Sequence, residues 1–164
     1  MSAATTVRRA SSRDARIIAA HNVAMAAESE RRTLDPATVL AGVRRALDDP
    51  ARGTYYVAER GGRLVGQLLV TREWSDWRDA WFWWIQSVYV EPDARRQGVY
   101  RLLHEHVLAA AREGGEVCGL RLYVEAGNRG AQHVYEQMGM TPTGYLLFEV
   151  ALGDESRAAP SPGA

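Results

Sequence analysis

Apolar residues recur along this chain in two patterns, and each pattern is typical of one kind of secondary structure. Runs rich in β-branched and aromatic residues predict strands at Thr5–Arg9, Thr54–Arg60, Leu64–Arg72, Trp81–Val90 and Gly119–Val124, and one long or two short strands within Thr143–Leu152. Apolar positions at three- and four-residue steps predict helices at Arg13–Ala27, Pro36–Leu47, Gly98–Gly115 and Asn128–Met138. Strands and helices therefore mix along the chain, which predicts an α/β fold.

Turn and cap residues support several of these boundaries. Asp35 before Pro36 is typical of a helix start, because an aspartate caps free amides and proline suits the first helical position. The pair Gly61-Gly62 predicts a tight hairpin, since glycine accepts a positive φ without steric cost. The next connection, Glu73–Asp79, predicts a longer turn that carries two tryptophans.

The strand Trp81–Val90 is the most apolar of the set, and Pro92 prevents its extension. If no bulge intervenes, strict alternation divides its side chains between the two faces of the sheet. One face would then carry Trp84, Gln86, Val88 and Val90, and the other Trp83, Ile85, Ser87 and Tyr89.

Composition limits the classes of function. The 164 residues are 46% hydrophobic and 24% charged, which is typical of one globular domain. A formal charge of zero argues against nucleic acid as a partner and against an electrostatically held membrane protein. All 20 basic residues are arginine, a bias that suggests a bacterial genome rich in G and C.

Cys118 is the single cysteine, so no disulfide can form within the chain. No apolar segment marks export or membrane insertion, and we therefore expect a cytoplasmic protein. Cys118 precedes the strand Gly119–Val124 and is predicted to be a small core residue.

The segment between the central strand and the third helix predicts an anion-binding site. Gly98 stands at the helix entrance, where the backbone N–H groups of Gln97, Gly98, Val99 and Tyr100 lack helical acceptors and the helix dipole favours negative charge. Arg95 and Arg96 add formal charge beside it. An ordinary strand-to-helix turn with solvated arginines explains this segment equally well when it is taken alone.

A second motif separates the two interpretations. Asn128-x-x-Ala131-x-x-x-Tyr135-x-x-x-Gly139-Met140 follows Val88-x-Val90-x-Pro92 and Arg95-Arg96-Gln97-Gly98 in the chain. In this order and at this separation, the motifs resemble the GNAT superfamily of acetyl-CoA-dependent N-acetyltransferases over about Arg52–Leu152. The family's phosphate loop usually has glycine or alanine where this chain has Tyr100, so that ring must point away from the pyrophosphate.

The resemblance implies a fold in more detail. It implies a central mixed, mostly antiparallel sheet of six to seven strands, splayed between the fourth and fifth strands, with about four helices. Residues 1–152 would form a single GNAT domain. Residues 153–164, which lack apolar periodicity, are predicted to be a disordered tail.

The resemblance also implies how acetyl-CoA binds. Pantetheine would bond to the main chain of Val88, Tyr89 and Val90, and the pyrophosphate to the loop that the residues Arg95, Arg96, Gln97, Gly98, Val99 and Tyr100 form. Asn128 would bond the cofactor or cap its helix, which are compatible roles. Tyr135 occupies the position of the general acid that protonates the departing thiolate; a core tyrosine is the alternative.

A general base has no obvious candidate. Where members of the family often place glutamate on the fourth and fifth strands, this chain has Trp84 and Tyr123. Gln86 could orient a water molecule that carries the proton, although an amide cannot take the proton itself. His104 and His106 have no further ligand at zinc spacing, so no metal site is expected.

The acceptor is predicted to be an amine of a small molecule, a peptide or a protein. Residues that could line its pocket come from the helix connection, the tryptophan-bearing turn and the two central strands, namely Glu30, Trp74, Asp76, Trp77, Trp84 and Tyr123. Two other functions stay open: a non-catalytic acyl-CoA-binding module, and an interaction protein that dimerises through its tryptophan-rich hairpin. A homodimer is compatible with each.

Overall fold

The computed structural model describes residues 4–150 and 152 of the chain. Its strands are β1 (Thr5–Arg9), β2 (Thr54–Arg60), β3 (Arg63–Ser75), β4 (Ala80–Val90) and β5 (Val117–Leu122). Its helices are α1 (Ala15–Ser29), α2 (Pro36–Asp48), α3 (Val99–Glu113) and α4 (Arg129–Gln137), with short 3-10 turns at Ser12–Asp14 and Pro92–Ala94. The predicted α/β class with four helices is confirmed.

The five strands form one sheet in the order β1-β2-β3-β4-β5. Each neighbouring pair from β1 to β4 is antiparallel, whereas β4 and β5 are parallel. The mixed, mostly antiparallel sheet was therefore predicted correctly, but its size was not. The prediction of six to seven strands is wrong for the described residues, because Thr143–Val150 has no regular secondary structure and pairs with none of the described strands.

Helices cover both faces of the sheet. On one face α3 buries Leu103 and Val107 against Leu68 and Ile85. On the other face α1 and α2 bury Ile18 and Val43 together with Tyr55, Val57 and Leu64. Because α2 and α3 each turn an apolar stripe toward the sheet, their helical period of apolar residues and the two-residue period of the strands meet in these two cores.

A glycine sets the distance between α3 and the sheet. A Cβ added at Gly66 on β3 would lie 2.8 Å from Cγ1 of Val99 and 3.2 Å from the carbonyl oxygen of Tyr89. Real Cβ atoms do not approach other atoms this closely, so only glycine permits the observed packing. The first residue of α3 thereby rests directly on the backbone of β3.

A β-bulge interrupts β4, and the predicted alternation fails there. Gln67 pairs with Tyr89 and Leu69 with Gln86, so β4 has one residue more than β3 between these pairs, and Ser87 adopts a φ of 49°. The extra residue reverses the faces beyond it. Val88 and Val90 pack against the same core as Ile85, rather than lying on the face of Gln86 as the sequence predicted.

Two further predictions require correction. β3 continues to Ser75, so Glu73 and Trp74 belong to a strand and the turn is limited to Asp76–Asp79. Cys118 is exposed on β5 rather than buried, because β5 is the last strand of the sheet and the third helix shields only part of it.

The other predictions concern the C-terminal segment and membrane insertion. The predicted tail 153–164 lies outside the described residues, as does the last part of the predicted strand Thr143–Leu152 at Ala151. Among the residues described, no helix is both long enough and apolar enough to cross a membrane.

Candidate active site

A cleft opens where β4 and β5 separate. Their pairing stops at Ile85 and Leu122, and beyond this point none of the described strands lies beside β4 on its β5 side. The cleft between them has a volume of about 310 Å³. It is lined by Met25, Ser29, Glu30, Ile85, Gln86, Ser87, Val88, Leu122, Tyr123, Val124, Glu125, Asn128, Ala131 and Tyr135. Four separate elements therefore meet at one site.

The end of α1 forms one wall of this cleft, and a buried polar network holds α1 on the sheet. Gln67, which is fully buried on β3, donates from Nε2 to Oδ1 of Asn22 at 2.7 Å, and its Oε1 lies 3.0 Å from Nδ1 of His21. Nδ2 of Asn22 donates to the Tyr55 hydroxyl at 3.1 Å. Because buried polar groups are costly without partners, this network fixes the position of α1 against β3.

Tyr135 lies on α4 and lines the cleft. Burial raises the pKa of its hydroxyl above the ordinary 10.0, so the group remains protonated throughout the neutral range. Among the described residues, no group is hydrogen-bonded to this hydroxyl. A protonated, unbonded hydroxyl at a cleft can donate a proton to a bound group.

Tyr100 packs its ring inward beside Tyr135. The two ring centroids are 5.6 Å apart, and the centroid of His104 lies 5.9 Å from that of Tyr100. The Tyr100 hydroxyl and Nε2 of His104 are buried, and neither has a hydrogen-bond partner among the residues described. Burial raises the pKa of Tyr100 and lowers that of His104, so both groups are held in their neutral forms.

The loop before α3 has the features of an anion site. Gly98 adopts a left-handed conformation with φ 79°, and no atom lies within 4 Å of where its Cβ would be. Within the described chain, the backbone amides of Gln97, Gly98, Val99 and Tyr100 donate to no acceptor. Several free N–H groups at a helix start can together hold a phosphate.

The two predicted arginines of this loop differ in their surroundings. Arg95 is occupied: Nε donates to the Val90 carbonyl at 2.9 Å and Nη2 to Glu28 at 2.6 Å. Arg96 has a φ of 61°, is exposed and contacts no acidic group of the described chain. Gln97 turns its side chain toward Arg60 and the Asp93 carbonyl, so it offers only its backbone amide.

The predicted residues of the central strands are brought together. Tyr123 lines the cleft and stacks on Trp84 with centroids 4.4 Å apart. The indole of Trp84 donates to Glu73 at 2.6 Å, and the same carboxylate accepts from Arg121 at 3.1 Å. Gln86 lines the cleft and donates to Oγ1 of Thr71 at 2.6 Å. Asn128 caps α4 by accepting from the Ala131 amide at 3.0 Å.

The tryptophan-bearing hairpin lies elsewhere. Trp74, Asp76 and Trp77 are absent from the cleft lining, and the turn at Asp79 is eight residues from Ser87 along β4, or about 26 Å at the usual rise of a strand. Asp76 accepts from the Trp77 amide at 3.0 Å, whereas the Trp77 ring is 87% exposed. Of the predicted acceptor residues, the structure unites Glu30 and Tyr123 at the cleft, with Trp84 stacked behind Tyr123.

Sequence reasoning missed several residues of the cleft lining, among them Met25, Ser29 and Glu125. Met25 and Ser29 lie in the last turns of α1, which continues beyond its predicted end at Ala27. They line the cleft because of the way α1 crosses the sheet, which the sequence does not reveal. Glu125 also lines the cleft. The Ser87 bulge has no clear local signal, because its neighbours alternate like an uninterrupted strand.

No metal site is formed by the described part of the chain, since no group of three or more His, Cys, Asp or Glu side chains lies close enough to hold an ion. The cleft instead combines free backbone polar groups, a neutral tyrosine and two carboxylates, Glu30 and Glu125.

Comparison with known proteins identifies the family. Residues 18–140 match the model of the acetyltransferase (GNAT) family. A crystal structure of a possible acetyltransferase from Clostridium difficile 630 is 35% identical, with a TM-score of 0.86, and the match covers 92% of this chain and 99% of that one. A comparison with curated proteins found no match.

More distant structures share the fold. A ribosomal-protein-alanine N-acetyltransferase from Brucella melitensis biovar Abortus 2308 is 20% identical, with a TM-score of 0.72 and coverage of 92% of this chain and 100% of that one. An aminoglycoside N-acetyltransferase in complex with CoA is 14% identical, with a TM-score of 0.73 and coverage of 91% and 95%. The match to the family model over residues 18–140 and the 35% identical structure show that the chain belongs to the GNAT acetyltransferase family.

Proposed function

We propose that this protein transfers the acetyl group of acetyl-CoA to a primary amine of a small molecule, a peptide or a protein. The observation that carries the proposal is the position of Tyr135: this residue, whose hydroxyl is protonated and has no hydrogen-bond partner among the described residues, lines the cleft beside the unpaired backbone of β4. The amine is the group that gains the acetyl, and the CoA thiolate is the group that leaves.

The donor would bind along two backbone surfaces. The free amides of Gln97–Tyr100 at the start of α3 suit the pyrophosphate, and Arg96 can add charge at the edge. The β4 backbone from Val88 to Val90, which has no β5 neighbour, suits the amide groups of pantetheine. Tyr89 contributes only its backbone, because its side chain is buried beside His21.

Acyl transfer needs a proton to leave the amine and a proton to reach the sulfur. The amine nitrogen forms the new bond to the acetyl carbon as the carbon–sulfur bond breaks, and a β4 amide can polarise the carbonyl oxygen. The Tyr135 hydroxyl donates its proton to the sulfur. A thiol pKa of about 8.5 makes this thiolate a good leaving group that needs little assistance.

The acceptor end of the cleft supplies acidic and aromatic surface. Glu30 and Glu125 line it and can attract a cationic amine, while Tyr123 offers a flat apolar face. Either carboxylate, or a water molecule oriented by Gln86, can receive the proton that the amine loses. Asp76 stays a weaker candidate, because its hairpin is remote from this cleft.

A non-catalytic acyl-CoA-binding module is the second candidate. It is favoured by the side chains of Trp84 and Gln86, which are hydrogen-bonded to β3, and by the lack of a carboxylate on the part of β4 that lines the cleft. Such a module would bind acyl-CoA at the same donor site but would catalyse no acetyl transfer.

The deciding experiment measures free thiol released from acetyl-CoA in the presence of a panel of amines. We expect release above the hydrolysis rate for at least one amine, and no release above that rate for any of them would contradict the enzyme. Gly98→Pro removes an amide and cannot adopt φ 79°, so it should weaken CoA binding in calorimetry. Unchanged affinity in a folded Gly98→Pro variant would refute the phosphate site.

A further inference from the structure

A second pocket lies outside the cleft, on the side of the sheet that α3 covers. Its volume is about 180 Å³, and none of its lining residues also lines the cleft. Strand pairing places its side chains on one face of four adjacent strands, with Arg9 opposite Tyr56, Thr54 opposite Val70 and Arg72 opposite Trp83. The pairing of the sheet therefore fixes the backbone from which this pocket is built.

Two arginines of the pocket lack an acidic partner within the described chain. No ion pair there involves Arg9 or Arg72, and no acidic residue lines the pocket. The Arg72 side chain makes one long hydrogen bond, from Nη2 to the Pro50 carbonyl at 3.5 Å. Two carboxylates near the start of the chain are bound by Arg8 instead. Because the two guanidinium groups repel each other, an anion between them would be favoured.

The Tyr56 hydroxyl supplies a neutral donor at the same place. Burial raises its pKa above the ordinary 10.0, and the nearby charge of Arg9 opposes that effect. The hydroxyl is therefore protonated in the neutral range, and no group of the described residues is hydrogen-bonded to it. The ring packs edge to face on His106 of α3, with centroids 5.3 Å apart. A held hydroxyl beside a guanidinium can donate to a bound oxyanion.

The rest of the pocket is largely apolar. Val70 is buried in the core beneath α3, and Trp83 packs against the same core. The pocket has room for about six water molecules at roughly 30 Å³ each, which suits a small molecule. Charged donors next to an apolar wall suit a ligand with a charged end and an apolar body.

We propose that this pocket is a second ligand site, which binds a small carboxylic acid in its ionised form. The carboxylate lies between Arg9 and Arg72 and accepts from the Tyr56 hydroxyl, and the body of the ligand rests on Trp83 and Val70. Guanidinium groups hold carboxylates through charge-assisted hydrogen bonds, which give direction as well as affinity. Inorganic phosphate has the charge but no apolar body to cover the indole, so a carboxylic acid fits the pocket better.

The pocket and the cleft share β4 but use opposite faces of it. Trp83 lines the pocket, whereas Trp84, the next residue, stacks on Tyr123 at the cleft. A ligand in the pocket therefore touches none of the residues that line the cleft. The proposed site does not depend on acetyl transfer.

Nuclear magnetic resonance can detect the binding through the indole N–H signals of the five tryptophans. The probe is benzoate, and single Trp→Phe variants assign the signals, that of Trp83 also by elimination. We expect a saturable shift at Trp83 with one benzoate per chain, while the signal of Trp77, which is 87% exposed on the β3–β4 turn, stays in place. No shift at Trp83 would overturn the proposal, as would a larger shift at Trp84, because the ligand would then lie at the cleft.

Arginine variants test the charged end of the site. Arg9→Gln and Arg72→Gln should each raise the dissociation constant of benzoate about 10-fold, because each removes a charge-assisted hydrogen bond. Both side chains are exposed, so both variants should keep the circular dichroism spectrum of the unaltered protein. Arg16→Gln removes the same charge from α1, on the other side of the sheet, and should leave the affinity unchanged. Equal weakening by Arg16→Gln would indicate attraction by overall charge and would contradict the site.

Three further ligands separate the charged end from the body. Acetate keeps the carboxylate and lacks the ring, benzamide keeps the ring and lacks the charge, and inorganic phosphate is an anion of another shape. Each should bind at least about 10-fold more weakly than benzoate. Acetate or phosphate that binds as tightly as benzoate would show an unselective anion site, and equal binding of benzamide would show a merely apolar one. Either result would overturn the proposal.

Discussion

At the scale of single residues, two tyrosines differ in what their hydroxyls can do. Tyr100 and Tyr135 lie edge to face, but the Tyr100 hydroxyl is sealed from solvent without a partner, while Tyr135 lines the cleft. The proposed proton donor is therefore distinguished from its neighbour by access alone. Each tyrosine provides the control for the other.

Tyr135→Phe should lower turnover about 10²-fold, since general acid catalysis contributes at least this much, while the affinity for acetyl-CoA stays nearly unchanged. Steady-state kinetics and calorimetry measure the two effects. Tyr100→Phe should leave turnover unchanged and leave stability equal or slightly higher, because it deletes a buried hydroxyl without a partner. Equal turnover of Tyr135→Phe and the unaltered protein would remove the catalytic role.

The pH dependence gives a second check on Tyr135. Since burial raises its pKa above 10.0, the hydroxyl should remain protonated up to that pH, and no loss of activity below it should arise from this residue. The rate should instead rise toward alkaline pH as the acceptor amine loses its proton. A descending limb between pH 7 and 9 that Tyr135→Phe abolishes would contradict this assignment.

At the scale of elements, the start of α3 depends on a glycine that touches no ligand. Gly66→Ala would bring a methyl group to 2.8 Å from Val99, so the first turn of α3 must shift away from β3. We expect weaker CoA binding and a loss of about 1–3 kcal/mol in unfolding free energy from overpacking. Calorimetry and urea unfolding measure the two losses.

Gly42→Ala is the matched control for this change. Gly42 lies in α2, and no atom is found within 4 Å of its added Cβ. Alanine there should stabilise the protein by about 0.5–1 kcal/mol through helix propensity and leave CoA binding unchanged. If Gly66→Ala binds CoA as tightly as Gly42→Ala, the contact with Val99 does not set the position of the phosphate loop.

The elements also show what local sequence can and cannot predict. The strand bounds Thr5–Arg9 and Thr54–Arg60 were predicted to the residue, because apolar alternation and the Gly61-Gly62 turn both act over a few positions. The Ser87 bulge was not predicted, since it arises from the register of β4 against β3. It moves the side chains of Val88 and Val90 to the opposite face of the sheet. Features of the site that depend on long-range register were therefore beyond local periodicity.

The contrast between local patterns and long-range contacts also applies to the residues of the cleft. Asn128 and Tyr135 were predicted through motif spacing and Gln86 through strand alternation, and the structure brings all three to one lining. Arg95 has a motif position too, but its pairing with Glu28 follows from how α1 crosses the sheet. The remote hairpin was also unpredictable, because its distance from the cleft depends on the length of β3, which extends three residues beyond the predicted end.

At the scale of the whole molecule, an ion pair joins the beginning of the chain to the sheet. Arg8 donates to both carboxylate oxygens of Asp14 at 2.8 and 2.9 Å and also to Glu59 at 3.0 Å. Asp14 is buried, and these bonds lower its pKa to about 2 from the ordinary 3.8, chiefly through Arg8. The pair sets the entry of α1, whose far end forms the cleft wall.

Because folding lowers the pKa of Asp14, the free energy of unfolding should depend on pH in the acidic range. Above pH 4 the unfolded chain also has Asp14 ionised, so the full stabilisation is present; it is lost as the pH falls from about 4 to about 2. The contribution is on the order of 2 kcal/mol. Urea unfolding at a series of pH values should show this loss, and Asp14→Asn should be less stable at pH 7 and lack that part of the slope. An identical slope in the variant would contradict the role of Asp14.

The exposure of α4 should make local opening of this helix easier than that of α3. α3 buries Leu103 and Val107 completely, whereas no residue of α4 is buried. Local opening requires less free energy where fewer apolar groups are exposed by it. Amide hydrogens of α4 should therefore exchange with solvent deuterium well before those of α3, and a ligand that rests on Asn128 and Tyr135 should slow the exchange of α4 selectively. The order of the helix that carries the proposed acid should thus depend more than that of α3 on what binds to it.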